Sequence, residues 1–263
     1  MELRLVDVMG TIVSFDVRCG TADPAAVHLA LVRAAADLHR ADFVFSTWKP
    51  ESPVSRMRRG EIGIGEAPES VSEVLELCVR ARDASGGWFD PWSAPGGVDP
   101  TGLVKGWAAE RALARLSSVP GLTGAMVNAG GDIACFGRPD PGREWRIGIR
   151  SPADPGVVMA TVDGVPAVAT SGAYERGAHI YRPAAALAGT AAATDPPVTS
   201  ATVIGPELWL ADALATGLAA GGATALQVID GLSDYHGLVA FADGTTNTTI
   251  GCPVELFDIT PAA

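Results

Sequence analysis

Residues 208–218 read LWLADALATGL. The run has helical length and is apolar on every face except for Asp212 and Thr216. These lie four positions apart, so they project from one face a turn apart. A carboxylate in such surroundings is costly unless something pairs with it, and the run contains no Lys or Arg. Whatever this chain folds into must bury that helix and give Asp212 a partner. A hydrogen bond to Thr216 or to neighbouring backbone is one solution; a bound cation is another.

The chain has 263 residues, enough for one sizeable core. Hydrophobic residues make up 48% and charged residues 19%, the balance of an ordinary globular protein. With 19 Lys+Arg against 30 Asp+Glu the net charge is −11, which argues against a general nucleic-acid or anionic-membrane surface. A local cationic pocket for an anionic ligand remains compatible. Cys19, Cys78, Cys135 and Cys252 are scattered without a CxxC pair, so reduced thiols are expected rather than a disulfide framework or zinc site. No apolar run reaches transmembrane length. The opening MELRLVDVMG has neither the basic and apolar regions of a signal peptide nor a lipobox-like Cys, so the expectation is cytoplasmic.

LRLVDVMGTIVSFDV alternates as a strand pair. DPAAVHLALVRAAADLHRAD reads as an amphipathic helix capped by Asp23, with Pro24 in its first turn and Val27, Leu31, Ala34 and Leu38 as its stripe. APESVSEVLELCVRARDASGG is a second helix stopped by Gly86-Gly87, and LVKGWAAERALARL a third. GAMVNAGGDIACFG and REWRIGIRSP read as strands, and VMATVDGVPAVATSG as a hairpin about Asp163-Gly164. The helix containing Asp212 is expected to start near Pro206 and end at Gly221-Gly222. HGLVAFADGTTNTTI closes as strand and turn, and residues 182–200 read as a surface loop. Helices and strands mix without a βαβ rhythm, so the class is α+β, in one domain over 1–263.

The chemistry-bearing residues interrupt this pattern. Asp212 and Thr216 offer a charged and a neutral oxygen, the donors that hard divalent cations take. Mg²⁺ in particular binds through one or two carboxylates and completes its shell with water and substrate phosphate. DPTGLVKG adds Asp99, a glycine the backbone can approach closely, and Lys105 near a helix start, a setting suited to an anion. NAGGD is too short for a dinucleotide fingerprint and no Walker A sequence exists, so a nucleotide would bind by neither common route. Each feature also has a plainer reading. NAGGD reads equally as a tight hairpin, Trp48 as core filling beside a turn, Lys105 as a solvated charge, and His179 as a core histidine.

Taken in order, MGT (9–11), FSTWKPESPVSR (45–56), FDP (89–91), VDPTGLVKGWAAE (98–110), NAGGDI (128–133), ATSGAYER…HIYRP (169–183) and TVIGPELWLADALATGL (202–218) resemble the ApbE family of FAD:protein FMN transferases. The resemblance implies a single α+β domain of two mixed α/β halves with FAD between them. It implies Mg²⁺-dependent transfer of the FMN half of FAD to a Thr or Ser hydroxyl of an acceptor flavoprotein, with AMP leaving. By position it implies Asp212, Thr216 and the Gly102 carbonyl as metal ligands. Met9, Trp48, Trp88, Phe89, Asp90, Asp99, Lys105 and Tyr181 take positions that contact FAD, and His179 that of the base for the acceptor hydroxyl. Trp48 stands where the family usually has Tyr, and either ring stacks on a flavin or adenine. Arg182 replaces the usual acidic residue after the His-Ile pair, and the segment 184–197 is lengthened and alanine-rich. Two further outcomes keep the same pocket: FAD hydrolysis to FMN and AMP, and FAD binding without turnover.

Overall fold

A computed structural model describes residues 1–154, 156–172 and 196–257. The N-terminal alternation becomes β1 (Glu2–Val8) and β2 (Thr11–Arg18), paired antiparallel in register Val8↔Thr11 to Glu2↔Val17. Met9 and Gly10 make the two-residue turn, both with positive φ (55° and 69°), as a tight hairpin of this hand requires. Helix α1 (Pro24–Phe45) starts where expected: the Asp23 carboxylate accepts from the Ala25 amide at 3.1 Å and Pro24 occupies the first turn. Short α2 (Pro53–Arg58), then α3 (Glu69–Ala84) and α4 (Thr101–Ser117) follow.

The strands β3 (Gly124–Ala129) and β4 (Asp132–Gly137) form a hairpin closed by Gly130-Gly131, both at positive φ. The strands β5 (Arg146–Arg150), β6 (Val158–Asp163), β7 (Ala167–Ser171) and β8 (Val198–Gly205) precede α5 (Leu208–Asp230). The strands β9 (His236–Phe241), β10 (Thr246–Thr248) and β11 (Glu255–Leu256) complete the described chain. Eight strands form one sheet in the order β1-β2-β3-β4-β7-β8-β9-β10, and three form a second in the order β11-β6-β5. Every pairing is antiparallel. The α+β class expected from the sequence is the one observed.

The helices cover one face of the large sheet, where Phe15, Leu31, Leu103, Leu214 and Leu218 join a single core. The small sheet covers part of the other face through Ile147 and Ile149. Among the described residues no helix is long and apolar enough to cross a membrane.

Three expectations need correction. The hairpin about Asp163-Gly164 does not form, because β6 pairs with β5 and β11 while β7 pairs with β4 and β8. Ala167, Val168 and Ala169 are all buried, so β7 is an interior strand needing a partner on each side, and the Gly164 amide turns back to the Trp145 carbonyl at 3.0 Å. The helix of Asp212 does not end at Gly221-Gly222. It kinks at Gly222 (φ 54°, ψ −133°) and runs on to Asp230, because Ala225, Leu226 and Ile229 supply a further buried stripe. Residues 198–200, read as loop, begin β8, with Ser200 facing Ala240.

Candidate functional site

The partner that Asp212 needs comes from α4. Asp212 is only 2% exposed and its Oδ2 accepts the Gly106 amide at 2.9 Å. That amide is the one the i→i−4 pattern of α4 directs at the Gly102 carbonyl. By competing for it, Asp212 loosens the claim on Gly102 O, which lies 3.4 Å from the Thr216 hydroxyl, long for an O–H···O bond. Ser171 Oγ lies 3.4 Å from the same hydroxyl. A carboxylate, two hydroxyls and a helix-start carbonyl thus face one another where α4, α5 and the end of β7 meet.

Close approach of the two helices makes this possible. A Cβ on Gly106 would stand 2.5 Å from the Leu208 carbonyl oxygen and 2.9 Å from Asp212 Cβ. Glu110, one turn further along α4, accepts from the Leu208 and Trp209 amides at 3.4 and 3.5 Å. Glu207, the residue before α5, makes no side-chain cap, so Glu110 satisfies the helix N-terminus from outside.

Burial pushes the Glu110 carboxyl above its ordinary 4.5, and the two amides pull it partly back. A raised folded-state value means the protonated form is the better tolerated one. The cost of ionised Glu110 is absent below about 4.5 and grows as pH rises through the folded value. Glu110→Gln, which keeps an acceptor without the charge, should therefore match wild type in melting temperature at acid pH. Near neutrality it should equal or exceed it. A Gln variant less stable than wild type only near neutrality would show that the charge on the helix terminus outweighs its desolvation.

The wall opposite α5 carries an ion pair. Lys105 of α4 bonds to Asp132 of β4, whose side chain is 1% exposed. The other Asp132 oxygen accepts the Thr170 amide at 3.3 Å, and Asn128 Oδ1 accepts the Gly131 amide at 2.8 Å. The NAGGD turn is thus a tight hairpin, and also the device that seats Asp132 beneath Lys105. Lys105 is half-buried and paired, not a free solvated charge.

Trp88, Phe89, Asp90, Asp99, Gly102, Lys105, Asp212 and Thr216 line one pocket. Trp88 and Phe89 line it while nearly buried, at 7% and 4% exposure; Gly221 approaches the Trp88 ring so closely that a Cβ would meet it at 2.5 Å. Asp90 and Asp99 order the pocket's loops: Asp90 accepts from the Trp92 amide and Ser93 hydroxyl, Asp99 from the Thr101 amide and hydroxyl. Met9, Trp48 and Lys105 line a second pocket of about 580 Å³, which shares Lys105 and Thr101 with the first. Trp48 is 92% exposed, so the core-filling reading of it fails and its ring is free to stack. His179, Tyr181 and Arg182 lie outside the described residues.

The site also contains Asp132, Thr170 and Ser171, which lie within NAGGDI and ATSGAYER but have no role expected from the sequence. The signal available for Asp132 was a carboxylate directly after a two-glycine turn and between apolar strands, a place where burial needs a cation.

Among the described residues no group of three or more His, Cys, Asp or Glu side chains is placed to hold a metal. The set at the α4–α5 contact is of another kind, one carboxylate with neutral oxygens, which suits a hard cation that brings water and phosphate oxygens for the rest of its shell.

The sequence matches the model of the ApbE family over residues 9–97 and 93–239. Among solved structures, the flavin transferase ApbE of Vibrio cholerae is similar at a TM-score of 0.74 and 21% identity, over 95% of this chain and 97% of that one. The ApbE protein of Thermotoga maritima gives 0.75 and 20%, over 95% and 97%. The flavinyl transferase ApbE of Pseudomonas stutzeri, in its apo form, gives 0.73 and 19%, over 95% and 94%. No curated protein matches the sequence. At these identities the structural likenesses speak for the fold.

Proposed function

The chain belongs to the ApbE family, and from that premise we propose that it transfers the FMN half of FAD to a Thr or Ser hydroxyl of an acceptor flavoprotein, releasing AMP. The observation that carries the reading is the convergence of the Asp212 carboxylate, the Thr216 hydroxyl and the Gly102 carbonyl beside a lysine. That is the donor set a Mg²⁺-pyrophosphate would meet. Asp212, Thr216 and the Gly102 carbonyl would hold Mg²⁺, which when bound would neutralise charge on the pyrophosphate.

The remaining work falls to the chain. Lys105, fixed in direction by Asp132, offers its ammonium to phosphate oxygens at the junction of the two pockets. Trp48 offers a face for a ring system, with Met9 beside it. His179 accepts the proton of the acceptor hydroxyl. The hydroxyl oxygen bonds to the phosphorus of the FMN half, the bridging P–O bond breaks, and AMP departs with that electron pair.

Mass spectrometry of the protein incubated with FAD, Mg²⁺ and a threonine-bearing acceptor domain tests the proposal, with a chelator control. An acceptor heavier by one FMN, with AMP in solution, is expected. AMP and free FMN with an unlabelled acceptor would mean hydrolysis instead, and intact FAD in both tubes a binding protein.

Trp48→Ala separates binding from folding. Because the ring is exposed, unfolding free energy should change by less than about 0.5 kcal/mol. Loss of a stacking face should raise the FAD Kd about tenfold, read by quenching of flavin fluorescence. Unchanged affinity would take Trp48 out of the site.

A further inference from the structure

A third recess opens on the face of the large sheet that the small sheet leaves uncovered. It is the largest of the three, about 690 Å³. Ser14, Met126, Asn128 and Thr170 form its floor, and β5 forms its wall. It shares Thr170 with the Asp212 pocket and Gly10 with the Trp48 pocket, so it leads into both.

Among the described residues its wall is an unpaired strand edge. β5 is the terminal strand of the small sheet, bonded only to β6 among the described residues. Trp145 O accepts from Gly164 N, and Ser151 N donates to Val157 O at 2.8 Å, so the odd-numbered residues face β6. By antiparallel alternation the amides and carbonyls of Arg146, Gly148 and Arg150 face the other way. Such an edge accepts an added strand. The strand also points toward the site. Trp145 bonds to the carbonyl of Phe136 at the far end of β4, whereas Ile149 packs on Leu238. Leu238 faces Thr202, which faces Thr170.

The charge of the partner follows from the two arginines. Arg146 is neutralised by Asp163 and Glu255. Arg150 is exposed and makes no ion pair among the described residues. On a chain of net charge −11 it is a local cation, and a second copy of this chain is a poor match for it. The floor continues onto Leu5, opposite Ser14 and 62% exposed, which offers apolar contact to alternate side chains of a strand laid there.

We propose that the acceptor docks in this recess as an extended segment added to the free edge of β5, with an acidic side chain on Arg150 and its reactive hydroxyl carried past Thr170. The proposal rests on the transferase reading for the identity of the partner, and its test does not. A dye-labelled synthetic peptide with a central threonine flanked by aspartates is titrated by fluorescence anisotropy, alongside a lysine-flanked control. Amide exchange is read with and without peptide.

The acidic peptide should bind and should slow exchange at Gly148 and Arg150. Gly148→Pro removes an edge amide where a Cβ would meet only the Val158 side chain at 3.4 Å. Arg150→Glu reverses the charge. Each should weaken binding roughly tenfold while FAD affinity and melting temperature stay at wild-type values. If the wild type binds no acidic peptide, binds the lysine control equally, or binds in both variants with unchanged affinity, the proposal is overturned. The same holds if the edge instead joins two copies, seen as a dimer lost in Gly148→Pro. Peptide binding without FMN transfer would leave the docking site standing and remove the transferase reading.

Discussion

Asp212→Asn should lose turnover on the order of a thousandfold or more while the fold stands. Asn keeps an oxygen that accepts the Gly106 amide, so the tie between α4 and α5 survives. What goes is the carboxylate that stands with the Thr216 hydroxyl and the Gly102 carbonyl, and with it the charge a Mg²⁺ ion would need there. Lewis-acid stabilisation of a phosphoryl transition state is worth several kcal/mol, each 1.4 kcal/mol a factor of about ten. The check is AMP release against Mg²⁺ concentration, with a melting curve beside it. Wild-type release by the Asn variant would sink the metal assignment. A collapse in melting temperature would instead make Asp212 a structural acceptor first. Asp212→Ala is the weaker experiment, since it also removes the bond from the Gly106 amide that ties α5 to α4 and so mixes the two effects.

The helices were legible because their local signals agree. Asp23 and Pro24 set the start of α1, and the stripe Val27, Leu31, Ala34, Leu38 is buried throughout. The Asp212 question was legible as a question, since a carboxylate in an apolar helix demands a partner; the answer, the Gly106 amide, lies 106 residues away. Distance in sequence hid the Lys105–Asp132 pair in the same way. Neither pairing leaves a local trace, because it is set by how α4 packs across the sheet. The false hairpin at Asp163-Gly164 has a related cause. Period-two alternation identifies strands but carries no information on which sheet each joins, and a loop of three residues linked two sheets instead of two neighbours. The two-residue strand β11 was too short to show any period. Gly221-Gly222 looks like a stop because glycine ordinarily ends a helix, yet here the apolar stripe resumes beyond the kink at Gly222.

Gly106→Ala should destabilise the protein by about 1–3 kcal/mol and remove activity together, against the ordinary rule for helices. In an exposed helix interior the same change gains roughly 0.5–1 kcal/mol, because alanine lowers the entropy of the unfolded chain. Here the new methyl meets backbone, the Leu208 carbonyl oxygen at 2.5 Å and its carbon at 3.0 Å, and backbone in a packed helix pair cannot step aside. α4 and α5 must separate, which moves Asp212 away from the amide it accepts and Thr216 away from Gly102. Gly102→Ala, one turn earlier on the same face, is the informative contrast. Its methyl would meet only side-chain atoms, Thr216 Oγ1 at 3.0 Å and Cγ2 at 3.2 Å and Phe89 Cε2 at 3.3 Å. Those can give by a few tenths of an ångström, so stability should change little while the Thr216 hydroxyl is pushed off its position and activity falls. Denaturant unfolding and AMP release on both variants separate the two. If Gly106→Ala is as stable as wild type, the helices are not held at the spacing that the donor set requires, and the account of how Asp212, Thr216 and Gly102 are brought together fails with it.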